Sequence, residues 1–282
     1  MAPPSARLAV DPFLGRFRAQ RGGGEPPVYA LKEPNPRIRH WAVELNGREV
    51  YRSRHPSHVV SYLRWQVLQQ AIGASRRFLI VHAGVVSLTG RALLLPGPSG
   101  AGKTTLVAGL VAAGFSYLSD EAAAIDPLDG KVIPVPLALS VKPGSRETLA
   151  SLGASVPQGA GASEDSTFAV APELLRPHPV GSTAPVHRVV FPDYGRGRNA
   201  SLAQLTRAQG LLELSENCFN LDLFGSSGFR VLADLAKGCT FHRLGYGLLP
   251  AAVETLQSLM EDSPTRREAD SARATFSTPA TR

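Results

Sequence analysis

The strongest chemical pattern in the chain is the run Gly97-Pro98-Ser99-Gly100-Ala101-Gly102-Lys103-Thr104, which matches G-x-x-x-x-G-K-[ST] in full. Glycines in this pattern let successive backbone N–H groups point at phosphate oxygens, where side chains would block the approach. The lysine brings a positive charge to the β- and γ-phosphates, and the hydroxyl after it can ligate Mg²⁺. An apolar run precedes the pattern and a helix is predicted after it, as the pattern requires. We therefore predict that residues 97–104, named here the phosphate loop, bind a nucleotide together with Thr105.

The acidic pair Asp120–Glu121 follows Lys103 by only 17 residues. That span accommodates one helix and one returning strand, so the chain is expected to come back beside the strand that carries the phosphate loop. If the two strands run parallel, the pair emerges at the same edge of the sheet as the phosphates. One carboxylate there can hold Mg²⁺, and the other can accept the proton of an attacking hydroxyl. The alternative is an exposed acidic strand end without a chemical role.

Several other residues are weaker candidates for chemistry. His82 ends the apolar run of residues 78–81, and a single histidine at a strand end is more often structural than catalytic. Lys142 at a strand end, and Arg196 or Arg198 in a basic, glycine-rich turn, could contact phosphate or an acidic peptide, or could simply be solvated surface charges. The remaining histidines form no metal-type spacing, so a zinc site is not expected.

The elements that must position these residues begin at Phe78, where the pattern changes to short apolar runs separated by glycines. The predicted elements are strands at 78–82, 83–89 and 92–97, a helix at 102–113, strands at 115–119, 122–126, 131–139 and 185–194, helices at about 201–215 and 226–237, a strand at 241–247 and a helix at about 249–260. The run 92–97 is almost continuously apolar, as in a strand buried on both faces. Strands interleaved with one short helix predict an α/β fold with a mixed sheet.

Composition shifts divide the chain into regions. The predicted regions are a loosely ordered basic arm at 1–36, a small α+β lead-in subdomain at 37–75, a catalytic domain at 76–260 that contains a mobile insertion at 151–184, and a disordered polar tail at 261–282. Within the lead-in, an Asn-Gly turn predicts a hairpin over 41–52, and apolar residues near helical spacing predict a helix over 57–72.

Charge and apolar content limit the partners and the compartment. The 282-residue chain carries a formal net charge of +7, but its arginines are scattered and form no single stripe, so nucleic acid is not the expected partner. No apolar run reaches the length of a membrane span, and no signal peptide is recognisable. Cys218 and Cys239 have no metal-type spacing and are expected to be buried thiols. We therefore expect a cytoplasmic protein without membrane contact, and homo-oligomer formation stays open.

The stretch "HAGVVSLTGRALLLPGPSGAGKTTLVAGLVAAGFSYLSDE" (82–121) resembles the catalytic core of the HPr kinase/phosphorylase C-terminal domain group. The shared features are a His-x-Gly strand, the phosphate loop, a helix that ends in glycine, and an acidic pair. The resemblance is most specific over 78–126 and continues weakly through 139–145 and 189–194. It implies a phosphoenolpyruvate-carboxykinase-like fold.

The resemblance also implies roles for individual residues. Lys103 would bind phosphate, Thr104 and Asp120 would serve Mg²⁺, and either Asp120 or Glu121 would act as the base, with His82 near the transferred phosphoryl group. Glu121 stands where the bifunctional enzymes have aspartate, and their glycine-rich signature stretch is not found. The chain is therefore more similar to HPr kinase-related proteins of peptide-tailoring clusters, including kinases that phosphorylate lasso-peptide precursors.

The expected function is that of an ATP- and Mg²⁺-dependent kinase that transfers the γ-phosphoryl group to a Ser or Thr hydroxyl of a peptide or protein. A ribosomally made peptide precursor would suit the resemblance. The absence of an N-K-x-D guanine reader favours ATP over GTP without excluding either. Two alternatives stay open, a kinase for a small molecule such as an amino acid, sugar or nucleoside, and a regulatory protein that binds a nucleotide without phosphoryl transfer.

Overall fold

The computed structural model describes residues 28–262 apart from 36, 38, 57, 61, 64, 65, 68, 69, 71–76 and 152–167. The strands are β1 (Tyr29–Lys32), β2 (Trp41–Leu45), β3 (Arg48–Ser53), β4 (Leu79–Val81), β5 (Ala83–Leu88), β6 (Arg91–Pro96), β7 (Ser116–Ser119), β8 (Ala123–Ile125), β9 (Lys131–Ile133), β10 (Leu139–Val141), β11 (Phe168–Val170), β12 (Ala184–Tyr194), β13 (Ser201–Leu205) and β14 (Thr240–Tyr246). The α-helices are α1 (Lys103–Ala112), α2 (Arg146–Ser151), α3 (Arg207–Glu216), α4 (Leu221–Phe224), α5 (Ser226–Gly238) and α6 (Leu249–Glu261). Short 3-10 helices occupy Pro143–Ser145 and Pro172–Leu174.

The main sheet has the strand order β4-β8-β9-β12-β6-β5-β7, with β14 beside β12 and β13 beside β14. Strand β12 is parallel to both β6 and β14, whereas β5 is antiparallel to both of its neighbours, β6 and β7. The predicted α/β fold with a mixed sheet is therefore confirmed. Strands β6, β7, β12 and β14 all point in one direction, so their carboxyl ends meet at one edge of the sheet.

Helices cover both faces of this sheet, which explains why β6 is apolar from Ala92 to Pro96. Leu93 and Leu95 pack in one core cluster with residues of α1 and α6. Leu94, between them, packs in a second cluster with residues of α3 and α5. All three leucines are fully buried, and each contributes about 2 kcal/mol relative to an exposed leucine. The strand that carries the phosphate loop is thus held firmly from both sides.

The hairpin predicted over 41–52 is confirmed by the antiparallel pairing of β2 and β3. Asn46 and Gly47 both have positive φ, at 51° and 80°, as a two-residue type I′ turn requires. Helical residues occur at 58–60, 62–63, 66–67 and 70, inside the segment predicted to be helical. The structure corrects the prediction for 29–32, which forms β1 and pairs antiparallel with β2 because Leu31 is buried with Val43 beneath the hairpin.

Two predicted elements differ from the structure. Residues 201–205 form strand β13 and pair antiparallel with β14, and the helix starts only after Thr206. A capping box formed by Thr206 and Gln209 sets that start, because it satisfies backbone N–H groups that would otherwise lack partners. The strand predicted over 131–139 is split into β9 and β10 by Pro134 and Pro136, since proline cannot donate to a sheet ladder.

The predicted mobile insertion at 151–184 is wrong for its second half. Strand β11 pairs antiparallel with β10, and Val170 and Leu175 are buried in the core cluster that contains α1. Ala184 is already the first residue of β12. Residues 152–167, and the parts of the predicted arm and tail at 1–27 and 263–282, lie outside the described residues, so the expectations there stay predictions.

Two further properties of the described part of the chain bear on the expected compartment. None of its helices combines the length and the apolar character needed to cross a membrane. Both cysteines are free thiols; Cys239 is buried, as predicted, whereas Cys218 is only partly buried. Burial raises the pKa of each thiol to about 12, so neither is a reactive thiolate near neutral pH.

Candidate functional site

The phosphate loop connects the carboxyl end of β6 to the amino end of α1. Its three glycines, Gly97, Gly100 and Gly102, have φ values of 153°, 97° and 87°, a region that favours glycine. A Cβ atom on Gly102 would also lie 2.2 Å from the hydroxyl oxygen of Tyr246. Both the backbone conformation and the available space therefore require glycine at position 102, and the loop fits the cradle predicted for phosphate.

Lys103 points back into this loop. Its Nζ donates hydrogen bonds to the carbonyl oxygens of Gly97 at 2.5 Å and Pro98 at 2.9 Å, and the side chain is buried. Burial lowers the pKa of Lys103 to about 8, with Glu121 and Asp120 opposing that shift. Burial removes the ammonium group of Lys103 from water, and the two carboxylates replace only part of the lost stabilisation. An anionic ligand would supply more of it, so this lysine is suited to hold phosphate.

Asp120 lies beside the start of α1, as the spacing predicted. Its Oδ2 accepts hydrogen bonds from Thr104 Oγ1 at 3.3 Å and from the backbone N–H of Ser140 at 3.0 Å, and the side chain is only 1% exposed. The carboxylate reaches this position because β7 runs in the same direction as β6. The expectation that β7 lies directly beside β6 is wrong, because β5 separates the two strands.

Thr104 and Asp120 supply a hydroxyl and a carboxylate oxygen in contact with each other, which are the donors that Mg²⁺ prefers. The residues present therefore fit a magnesium ion bound between them and phosphate oxygens. Within the described ranges, no group of three or more His, Cys, Asp or Glu residues could hold a metal ion. A metal at this site would thus depend on the nucleotide for several of its ligands, which is how Mg²⁺ is usually bound.

Glu121 and His82 line the cavity next to Asp120 and Lys103. Burial lowers the pKa of His82, and the positive charge of Lys103 lowers it further, while Glu121 acts in the opposite direction. The imidazole is therefore neutral at neutral pH. Its ring stacks on Phe219 with a centroid distance of 5.1 Å. The site thus combines a carboxylate and a neutral imidazole at the end nearest the lysine.

A segment that sequence reasoning missed holds His82 in place. The backbone N–H of His82 donates to the carbonyl oxygen of Asn217 at 2.7 Å, and that of Phe219 donates to Ile80 at 2.9 Å. The buried Asn220 side chain accepts from the Ile80 N–H at 2.8 Å and donates to the Phe78 carbonyl oxygen at 3.0 Å. The two partners of the Asn220 side chain are 140 and 142 residues away in the chain, so no local pattern could have indicated the contact.

The strand end at Lys142 covers the other side of the loop. Lys142 Nζ donates to Ser99 Oγ at 3.3 Å, and the hydroxyls of Ser145 and Thr105 are 2.7 Å apart. A second cation therefore lies over the phosphate loop at an exposed position, and a contact between Lys142 and phosphate stays a prediction. The other weak candidates, Arg196 and Arg198, are not among the residues that line the cavity, and Arg198 forms an ion pair with Asp193.

One cavity of about 1000 Å³ connects the loop, the acidic pair and His82. The predicted residues that line it are His82, Ser99, Gly100, Gly102, Lys103, Thr104, Thr105, Asp120 and Glu121, together with the weaker candidate Lys142. Gly97, Pro98 and Ala101 do not line it, although the first two bind Lys103 through their carbonyl oxygens. The lining residues that were not predicted include Ser140, Ser145, Thr148, Tyr194, Phe219, Tyr246, Leu248 and Pro250. All of these are apolar or hydroxyl-bearing residues, which occur throughout the chain, so residue type alone did not indicate that they belong to a site.

No protein-family model matches this chain, and the search of curated proteins gives no significant match. The case for a function therefore rests on the geometry of the site and on the pattern of motifs.

Proposed function

We propose that this protein is an ATP- and Mg²⁺-dependent kinase that transfers the γ-phosphoryl group to a Ser or Thr hydroxyl of a peptide or protein. The observation that carries the proposal is the contact between Thr104 and Asp120 at 3.3 Å beside the buried Lys103. This contact brings together a phosphate-binding lysine, a magnesium-type oxygen pair and a carboxylate-lined cavity. The pattern of residues 78–126, which resembles the HPr kinase-related group and its carboxykinase-like fold, supports the same proposal.

The residues divide the work of phosphoryl transfer among them. The amides of the phosphate loop and Lys103 hold the β- and γ-phosphates, and Lys142 adds a second positive charge over the loop. Thr104 and Asp120 would hold Mg²⁺, which neutralises charge on the phosphate oxygens when it is bound. Positioning and charge neutralisation are the main requirements of this reaction, since the protein needs little covalent chemistry of its own.

The two carboxylates are suited to different tasks. Asp120 is buried and its Oδ2 already accepts hydrogen bonds from Thr104 and Ser140, which suits a metal ligand held in a fixed place. Glu121 is more exposed than Asp120 and lines the cavity beside His82. We therefore assign Glu121 as the base that takes the proton of the acceptor hydroxyl, with His82 orienting the acceptor or the transferred group.

A peptide acceptor is consistent with the size and lining of the cavity. Its volume of about 1000 Å³ is at the upper end of the range for small-molecule sites, which leaves room for an acceptor next to a nucleotide. Phe219, 37% exposed beside His82, offers an apolar surface for a residue that neighbours the acceptor hydroxyl.

The test is to incubate the protein with Mg²⁺, γ-labelled ATP and two separate acceptor pools, one of ribosomally made precursor peptides and one of small hydroxyl compounds. The expected result is label in a Ser or Thr of a peptide, lost in Asp120→Asn and in Glu121→Gln. Asp234→Asn, a change in an exposed carboxylate on α5, is the matched control and should transfer label normally. Label only in small molecules would replace the peptide assignment, and label left on ATP or released as phosphate alone would contradict the kinase proposal.

A further inference from the structure

We infer that the cavity wall formed by Tyr194, Tyr246, Leu248 and Pro250, named here the aromatic wall, binds the base and ribose of the donor nucleotide by stacking and apolar contact. Because this recognition uses ring faces rather than base edges, the protein should accept ATP and GTP with similar affinity. The inference rests on the proposed function for the identity of the ligand, and it adds the place and the selectivity of nucleoside binding.

The topology sets the direction in which a nucleotide must lie. Strands β5 and β7 lie on one side of β6, and β12 and β14 lie on the other. The acidic pair follows β7, so the γ-phosphate end of a bound nucleotide belongs on that side, next to Lys103. Tyr194 and Tyr246 are the last residues of β12 and β14, whose carboxyl ends meet the same edge. The nucleoside end of the ligand therefore belongs against these tyrosines.

The aromatic wall begins directly at the phosphate loop. The Tyr246 hydroxyl donates to the carbonyl oxygen of Gly102 at 3.4 Å, and burial raises the pKa of Tyr246, so this hydroxyl stays protonated. The Tyr194 and Tyr246 rings meet edge to face with a centroid distance of 5.5 Å. Tyr246 is only 3% exposed and Tyr194 is 51% exposed, so Tyr246 supports the wall from behind and Tyr194 presents the aromatic surface next to the loop.

Leu248 continues this wall into the cavity. It is 71% exposed and Tyr194 is 51% exposed, and both line the cavity. The next residue, Leu249, is buried, and a Cβ atom on Gly109 of α1 would lie 2.9 Å from its Cδ1. The packing of Leu249 against α1 fixes the start of α6, and Pro250 in the first turn stiffens it. Leu248 is therefore held in the open cavity by its neighbour and is available to cover a base.

The chemistry of this wall favours contact with ring faces. Every base presents an apolar face to aromatic and aliphatic side chains, so such contacts tolerate changes of base. Strong discrimination between bases requires polar groups that pair with a base edge and are left unpaired by the wrong base. Among the described residues that line this side of the cavity, none carries a side-chain amide or carboxylate. A purine of either kind should therefore bind, and a smaller pyrimidine should bind more weakly.

Binding measured by calorimetry on the full chain separates the base from the phosphates. The probes are Mg²⁺ complexes of ADP, GDP and CDP, together with inorganic tripolyphosphate, which has no nucleoside. Wild-type protein should bind ADP and GDP within about fivefold of each other, and CDP and tripolyphosphate more weakly. Leu248→Asp should weaken ADP and GDP by about tenfold or more and leave tripolyphosphate unchanged, whereas Leu248→Met should restore nucleotide binding.

The matched control is Leu212→Asp, which places the same charge on an exposed leucine of α3 outside the cavity and should bind every probe normally. Unchanged ADP binding by Leu248→Asp, or GDP binding more than about fiftyfold weaker than ADP binding, would overturn the inference. These outcomes are distinct from failure of the proposed function. If the probes bind as expected but no label is transferred, the nucleoside site stands and the kinase proposal falls; if label is transferred while Leu248→Asp binds ADP normally, only the nucleoside site falls.

Discussion

The two flanks of the phosphate loop are built from opposite kinds of residue. On the β7 flank, Asp120 and Glu121 meet Lys103 and His82, and all four groups are charged or polar. Asp120 and Lys103 are buried, and Glu121 and His82 are partly buried. On the β14 flank, Tyr194 and Leu248 are aromatic or aliphatic and half or more exposed. Polar groups held by hydrogen bonds cannot adapt to different ligands, whereas an apolar surface can. The β7 flank is therefore suited to define a reaction, and the β14 flank to hold a ligand.

The largest expected effect comes from removing the positive charge of Lys103, which lies between the two flanks. Lys103→Ala should lower turnover by about a thousandfold or more, because the β- and γ-phosphates lose their main cation. Steady-state phosphoryl transfer measures the loss, and circular dichroism should show an intact fold. Lys237→Ala, at an exposed lysine of α5, is the control. Activity of Lys103→Ala close to that of wild type would contradict the assignment of the loop.

The two carboxylates of the β7 flank should affect different properties of the enzyme. Glu121→Gln should lower kcat by about a hundredfold or more because the acceptor hydroxyl loses its base, while the Kd for Mg·ADP stays unchanged. Asp120→Asn should instead raise the Mg²⁺ concentration needed for half-maximal activity, since a neutral amide is a poorer ligand. If the two variants behave alike in both measurements, the division of tasks between these carboxylates is wrong.

A smaller effect is expected from Asn220, which holds His82 and Phe219 from behind. Asn220→Ala leaves the Ile80 N–H and the Phe78 carbonyl group without their side-chain partner, which should lower the free energy of unfolding by about 2 kcal/mol. It should also lower kcat about tenfold with little change in KM, because His82 would be less well positioned.

Asn217→Ala is the matched control, since its side chain donates to the Glu213 carbonyl oxygen of α3 while its backbone still holds His82. Denaturant unfolding and steady-state kinetics separate the two variants. Equal losses of kcat in both would show that Asn220 acts on stability alone.

The smallest expected effect concerns His187 on β12, outside the site. It tests whether this histidine, rather than either flank of the phosphate loop, makes the free energy of unfolding depend on pH in acid. Burial and the nearby Arg188 and Arg91 lower the pKa of His187 to about 4. The unfolded chain binds a proton near pH 6.5 and the folded chain does not, so this histidine lowers stability as pH falls from about 6.5 to 4. Solvent screening limits the change to about 1 kcal/mol.

His187→Gln should remove this part of the pH dependence, seen as a flatter plot of unfolding free energy between pH 6.5 and 4. Nucleotide affinity above pH 6.5 should stay unchanged, because His187 does not line the cavity. An identical pH profile in the variant and the wild type would show that other groups cause the acid sensitivity.

The local elements were predictable because their signals are local. The hairpin at Asn46-Gly47 needs positive φ at two adjacent positions, and the helix Lys103–Ala112 is followed by Gly114, which has a φ of 110°. The errors arose where tertiary pairing overrode local pattern. Residues 201–205 form a strand because they pair with the edge of β14 that β12 does not occupy. Residues 168–170 form a strand because they pair with β10.

The phosphate loop and the acidic pair can be read from residues 97–121 alone, because a glycine cradle, a lysine and a returning strand all lie within that stretch. The residues that surround them come together through tertiary contacts. The aromatic wall joins Tyr194, Tyr246 and Leu248 to Gly102. The Asn220 side chain, which supports His82, binds a strand 140 residues away in the chain. Tyrosine, leucine and asparagine have many roles in a folded chain. Their role here follows from strand order, which brings distant carboxyl ends to one edge of the sheet.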